Sequence, residues 1–157
     1  MLDQNRSDLY GALREQSRQR FYNLWQLAKT GQAPTEGEDA LLIQVMREHP
    51  EYYDTWAHAN ELLGEAIPAD SVDPFVHAMI HATVENQIAQ NDPPEARAVV
   101  EYKTSRNIPR HDVIHEIGNE VAKMIWTVLH DNKPPDNIAY RRKLAKMLPR
   151  AQRNLSK

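Results

Sequence analysis

The sequence predicts an all-α protein, a helical bundle of about six to seven helices with no significant sheet. Three observations carry that prediction. Apolar residues recur at three- and four-residue spacing along most of the chain. No run of four to eight β-branched or aromatic residues alternates strictly with polar ones. The 5 glycines and 10 prolines fall where helices begin or end.

The first helix is expected from Asp8 to Thr30, with Phe21, Leu24, Trp25 and Ala28 on one face and Gly31 as its stop. The second opens at Thr35, where Thr35 and Glu38 have capping-box spacing, and His49-Pro50 closes it. A third covers Glu51 to Leu63 and stops at Gly64; residues 64–72 read as a loop. Asp73-Pro74 has the form of an N-cap followed by proline at the first helical position, and starts a fourth helix that runs to Gln90. Asp92-Pro93-Pro94 repeats that device for a fifth, to Ser105. Pro109 introduces a sixth, from Arg110 to His130, and Pro134-Pro135-Asp136 a seventh that ends near Pro149. Residues 1–149 are therefore read as a single helical domain, and 150–157 as a basic, frayed tail.

Composition excludes several classes of function. Cysteine is absent, which removes thiolate nucleophiles, disulfides, iron–sulfur clusters and cysteine zinc sites together. No glycine-flanked serine and no glycine-rich phosphate loop is present. No apolar run approaches the ~18 residues of a membrane span. Met1 to Arg20 lacks the apolar core of a secretion signal, so a cytoplasmic location is expected. Net charge is −3, which gives no general reason to bind nucleic acid.

Charge is unevenly placed. Residues 48–96 hold ten acidic side chains and no lysine or arginine, whereas 141–157 holds seven basic ones and no acidic one. One reading is an acidic segment docked on the chain's own basic helices. Another is an anionic partner at 141–157; the stretch lacks the interleaved aromatics of a sequence-specific nucleic-acid binder.

The chemistry concentrates in the histidines. Four of the seven form two pairs of identical spacing, His77-x-x-x-His81 and His111-x-x-x-His115. Residues four apart on a helix lie on one stripe, so each pair projects two imidazoles to the same side. Val84 and Ile88 share the side of His77, while Gly118, Ala122, Ile125 and Leu129 share that of His111 and His115. Both pairs are thus expected to face a core. Glu85 is the one charged residue between Pro74 and Gln90, at the edge of the histidine stripe. An isolated carboxylate is costly to bury without a partner.

His77, His81, Glu85, His111 and His115 together would supply four imidazoles and a carboxylate to a bundle interior. That donor set suits a divalent transition metal: iron, zinc, manganese or nickel. Glu85 would serve as a ligand or as the general base toward a metal-bound water, in hydrolysis or oxygen chemistry. His49, Gln87 and Asn119 are candidates for an extra ligand or for supporting hydrogen bonds. For His49, at a helix end, a cation offsetting the helix dipole is the favoured reading. Glu116 and Glu120 read as a solvated face with Asp112 and Lys123, and His58 and His130 as surface residues. The alternative to a metal is a non-enzymatic adaptor whose imidazoles bond one another, Glu85 and backbone carbonyls.

A family resemblance rests on His49-Pro50-Glu51-Tyr52, then Asp73-Pro74-Phe75-Val76-His77-Ala78-Met79-Ile80-His81, Glu85-Asn86-Gln87, Pro93-Pro94 up to Arg97, His111-Asp112-x-x-His115 and Met124-Ile125-Trp126. From about Arg18 to Met147 the chain resembles the bacterial family catalogued as domain of unknown function 1841. The resemblance implies a small, all-helical, cytoplasmic bacterial protein whose histidine pairs belong to the family pattern, and it implies no reaction. Tyr53 stands where that pattern carries a histidine, and Asn119 where it carries an acidic residue. The layout is more loosely similar to hemerythrin-like and DinB-like metal-binding bundles, an analogy of fold alone.

Overall fold

A computed structural model describes residues 2–68 and 70–153, with side chains from Tyr10 onward. Every regular element in it is helical, and no strand occurs among the described residues. The helices are α1 (Leu2–Thr30), α2 (Gly37–Arg47), α3 (Tyr53–Ala57), α4 (Pro74–Gln90), α5 (Pro94–Thr104), α6 (Arg110–Asp131) and α7 (Asn137–Lys146). The chain divides into two compact units, residues 1–79 and 80–157, and the boundary falls within α4.

The first unit is built on α1, whose Phe21, Leu24 and Trp25 are buried as their helical spacing predicts. They meet Leu42, Ile43, Val45 and Met46 of α2, together with Trp56 and Phe75. Phe21 stacks on Trp56 with centroids 5.3 Å apart and meets Phe75 edge-on at 5.1 Å. Two of the expected helix starts are made differently. Glu36, not Thr35, is the N-cap of α2, and no side-chain cap bond forms there. The expected helix over 51–63 is broken into 3₁₀ turns at Pro50–Tyr52 and Ala59–Glu61 around the short α3. The end of this segment is met by α1. Arg18 Nη1 donates to the carbonyls of Leu62 (3.2 Å) and Leu63 (2.9 Å), and Arg14 Nε to that of Gly64 (3.0 Å). These guanidinium groups satisfy carbonyls left open at the end of the segment.

The second unit packs α5, α6 and α7 around Val84, Val99, Val100, Val113, Ile114, Ile117, Val121, Tyr140, Leu144 and Leu148. Its helix starts follow the sequence closely. Asp136 Oδ1 accepts from the Ala139 amide at 2.9 Å and caps α7, while Pro93 and Pro94 open α5. Glu95, 1% exposed, is held by both Nε and Nη2 of Arg141. Of the expected tail, residues 150–152 form a 3₁₀ turn and residues 154–157 lie outside the described residues.

Candidate metal centre

Asp73 caps α4 as expected, its Oδ1 accepting from the amides of Phe75 (2.9 Å) and Val76 (3.2 Å). This cap sets the start of the helix and therefore the angular position of His81 and Glu85 further along it. Within the second unit α4 and α6 approach closely. A Cβ at Gly118 would lie 3.0 Å from Cγ2 of Ile80. The absence of a side chain at Gly118 is what admits Ile80 there.

From that contact the imidazoles follow. His81 of α4 lies beside His115, with ring centroids 4.6 Å apart, and beside His111, at 5.1 Å. His111 and His115 stand at 4.5 Å, their Nε2 atoms 2.9 Å apart. One ring nitrogen from each of the three residues lies within 4.8 Å of the others. His81 is 3% exposed, whereas His111 and His115 are exposed.

That exposure corrects the expectation that both pairs face a core. The buried stripe of α6 is Val113, Ile114, Ile117, Gly118 and Val121. Ile125 and Leu129, read as companions of the pair, are 41% and 58% exposed. Two apolar stripes can be traced on this helix, and packing against α5 and α7 selects the one through Ile114 and Ile117.

Glu85 is 8% exposed and takes a two-pronged bond from Arg110, whose Nη2 donates to Oε2 at 2.6 Å and whose Nη1 donates to Oε1. Bidentate guanidinium–carboxylate pairs are among the stronger polar contacts in proteins. Sequence reasoning noted that Glu85 needed a partner but did not name Arg110, which immediately precedes His111. A lone acid on an apolar helix was the available signal.

The remaining candidates are placed as follows. In the first unit His49 is 1% exposed, its Nδ1 is 2.7 Å from the Val45 carbonyl, and its Nε2 is 3.0 Å from Nε2 of His77. A ring nitrogen facing a carbonyl must carry the proton, so His49 Nδ1–H donates and its Nε2 is set as an acceptor when the ring is neutral. Tyr52 stacks on His49 at 6.0 Å, and burial followed by the nearby Glu51 raises its phenol above the ordinary range. Gln87 accepts from the Tyr140 hydroxyl at 2.7 Å, which ties α4 to α7. Asn119 is exposed, as are His58 and His130. Glu120 departs from its expected place on a solvated face, since its side chain is 12% exposed and meets Lys123 (2.6 Å) and Lys143 (3.1 Å). Burial works to raise its carboxyl, but the two ammonium groups outweigh it and hold the group below the usual carboxylate range. Glu116 pairs with Lys103.

Fold and site together define an all-α protein with three imidazoles gathered between two neighbouring helices. The family model described as Domain of unknown function (DUF1841) matches residues 13–154, and the chain belongs to that family. Neither a curated protein nor a solved structure matches the chain. Among the described residues, no helix is long and apolar enough to cross a membrane.

Proposed function

We propose that this protein binds a divalent transition metal through His81, His111 and His115. The observation that carries the reading is the convergence of one nitrogen from each ring to within 4.8 Å of the other two. Imidazole nitrogens bind such ions at about 2.0–2.1 Å, so three nitrogens this close can share one cation after small rotamer changes. A helical i,i+4 pair supplies two of the donors from α6, and the neighbouring α4 supplies the third.

Glu85 enters as the anion that ties Arg110, and with it the start of α6, to α4. With its carboxylate in the guanidinium fork, Glu85 holds the helices in register and stands beside the ion as counter-charge, in place of the ligand or base role that its position in the sequence suggested. His77 is assigned to the pair with His49.

Elemental analysis of purified, untagged protein after incubation with iron(II), zinc, manganese(II) or nickel tests the reading. About one ion per chain is expected for at least one metal, with release on acidification as the ligands protonate. Retention of the ion by a His81→Ala, His111→Ala, His115→Ala triple variant would overturn the assignment.

A second reading is favoured by one specific distance. The 2.9 Å between His111 and His115 is also the length of an N–H···N hydrogen bond, as in a metal-free histidine network of a structural or adaptor protein. It predicts no bound ion under any of those conditions.

A further inference from the structure

We infer that the outer face of α7 and the 3₁₀ turn after it form a docking ridge for the phosphate backbone of a nucleic acid, held without regard to base sequence. The inference is independent of the metal reading. Its first ground is the segregation of charge along the chain. All 22 acidic residues precede position 141, whereas the last 17 positions hold 7 of the 19 basic ones. A net charge of −3 therefore conceals one strongly cationic stretch. At about 0.1 M salt, exposed charges more than about 10 Å away are largely screened, so the local field of that stretch decides what docks there.

Packing then selects which cations face outward. Tyr140, Leu144 and Leu148 are 5%, 0% and 2% exposed and turn one side of α7 into the core. Arg142 and Lys146 stand on the opposite side, both exposed, one helical turn or about 6 Å apart along the axis. Arg150 opens the 3₁₀ turn and Arg153 follows it, and both are exposed. Two other cations of the stretch are occupied within the fold. Arg141 grips Glu95, and Lys143 Nζ lies 3.1 Å from Oε2 of Glu120. Among the described residues, no carboxylate forms an ion pair with Arg142, Lys146, Arg150 or Arg153.

The make-up of this ridge discriminates between anionic partners. A basic helix that lies on a membrane sinks an apolar face among the lipids, and the apolar face of α7 is already spent in the core. A protein partner takes most of its affinity from apolar or aromatic anchors and arginines in desolvated pockets. Among the described residues from Arg141 onward, no large apolar side chain is exposed. A polyanion bound through charge alone fits what remains. A nucleic-acid strand repeats its charge at every nucleotide, and its affinity comes from released counterions, which requires neither an apolar anchor nor a groove. No aromatic side chain stands on the ridge to stack on bases, so the backbone is what it holds.

Fluorescence anisotropy of labelled oligonucleotides of mixed sequence, one single-stranded and one duplex, tests the inference on the full, untagged chain. Binding of at least one form is expected at about 50 mM salt, and the tighter form identifies the source of the phosphates. Log affinity should fall with log salt at a slope of about −3 to −4, as for four neutralised phosphates. An Arg142→Glu, Lys146→Glu, Arg150→Glu variant is expected to bind at least about ten-fold more weakly. The milder alanine triple at the same exposed positions should weaken binding in the same direction and make the salt slope shallower by about 2–3. Circular dichroism checks that both keep their helix content. Absence of binding to either form at low salt, or unchanged affinity in both folded variants, overturns the inference. Displacement of the oligonucleotide by polyglutamate as readily as by unlabelled oligonucleotide overturns it in favour of an acidic protein, and tighter retention on phosphatidylserine vesicles overturns it in favour of a membrane.

Discussion

Arg110 and Glu85 face each other across two helices that run antiparallel, their guanidinium and carboxylate groups joined by a pair of hydrogen bonds. The antiparallel sense follows from the contacts. Ile80 meets Gly118 at one end, His81 meets His115 and His111 in the middle, and Glu85 meets Arg110 at the other end. The ion pair and the glycine contact therefore bracket the imidazoles.

Removing the cation from this pair leaves a largely buried carboxylate without its counter-charge. Arg110→Ala is expected to lower stability by about 1–3 kcal/mol, less than for a fully buried pair because the guanidinium is about half exposed. Arg110→Lys keeps the charge but loses the fork, and is expected to fall between wild type and alanine. Urea denaturation of the three proteins checks the order. Affinity for the bound metal should fall along the same series.

At the other end of the bracket, the space at Gly118 is limited. Gly118→Ala adds a Cβ 3.0 Å from the Ile80 methyl, a contact that the side chain can relieve by a small shift. Helix propensity favours alanine by about 1 kcal/mol, so this change is expected to be near neutral. Gly118→Val demands more room and is expected to cost about 1–3 kcal/mol by overpacking. Separation of the helices should also weaken metal binding in that variant, measurable by competition with a chromophoric chelator.

Gly64 gives a sharper contrast in the first unit. A Cβ there would lie 2.6 Å from the Gly11 carbonyl oxygen, which is backbone and cannot swing aside. Gly64→Ala is expected to cost about 1–3 kcal/mol by overpacking. Thermal unfolding of Gly64→Ala alone suffices as the check, a midpoint equal to wild type being the contrary result.

Tyr140 carries a pH signature. Burial, opposed by its hydrogen bond to Gln87, pushes the phenol from 10.0 up to about 12. Between those values the unfolded chain loses the phenolic proton while the folded chain keeps it, so stability is full below pH 10 and falls as pH rises toward 12. Two units correspond to about 2.7 kcal/mol at most. Tyr140→Phe is expected to flatten this part of the pH profile, read as the difference between the two denaturation curves at pH 9 and pH 11.5.

Glu120 acts in the opposite sense. Its carboxyl is held low in the folded state, so the stability it contributes is present above the ordinary carboxylate range and is lost as pH falls through that range. Glu120→Gln should remove part of the acid sensitivity, measured by the midpoint of acid unfolding.

Much of the helical layout was legible because its signals are local. Asp73 before Pro74 and Asp136 before the seventh helix are caps whose function depends on the next three amides alone. The helix expected over residues 51–63 was not legible in the same way. It is interrupted by 3₁₀ turns, and its end is tied to Arg14 and Arg18, more than forty residues earlier in the chain, which bind the carbonyls of Leu62, Leu63 and Gly64. The Thr35–Glu38 spacing likewise matched a capping box that the backbone does not form.

For the site, the sequence by itself determined which side chains share a helical stripe, because a turn of 100° per residue follows from the backbone alone. His111 and His115 had to stand together, and Glu85 had to follow one turn after His81. Which stripe of α6 would be buried was decided only by packing, since one helix surface offered two apolar rows and α5 and α7 cover just one of them. The meeting of His81 with the α6 pair, and of Glu85 with Arg110, depends on residues 25 or more positions apart being brought together by tertiary contacts. No periodicity within either helix encodes that approach.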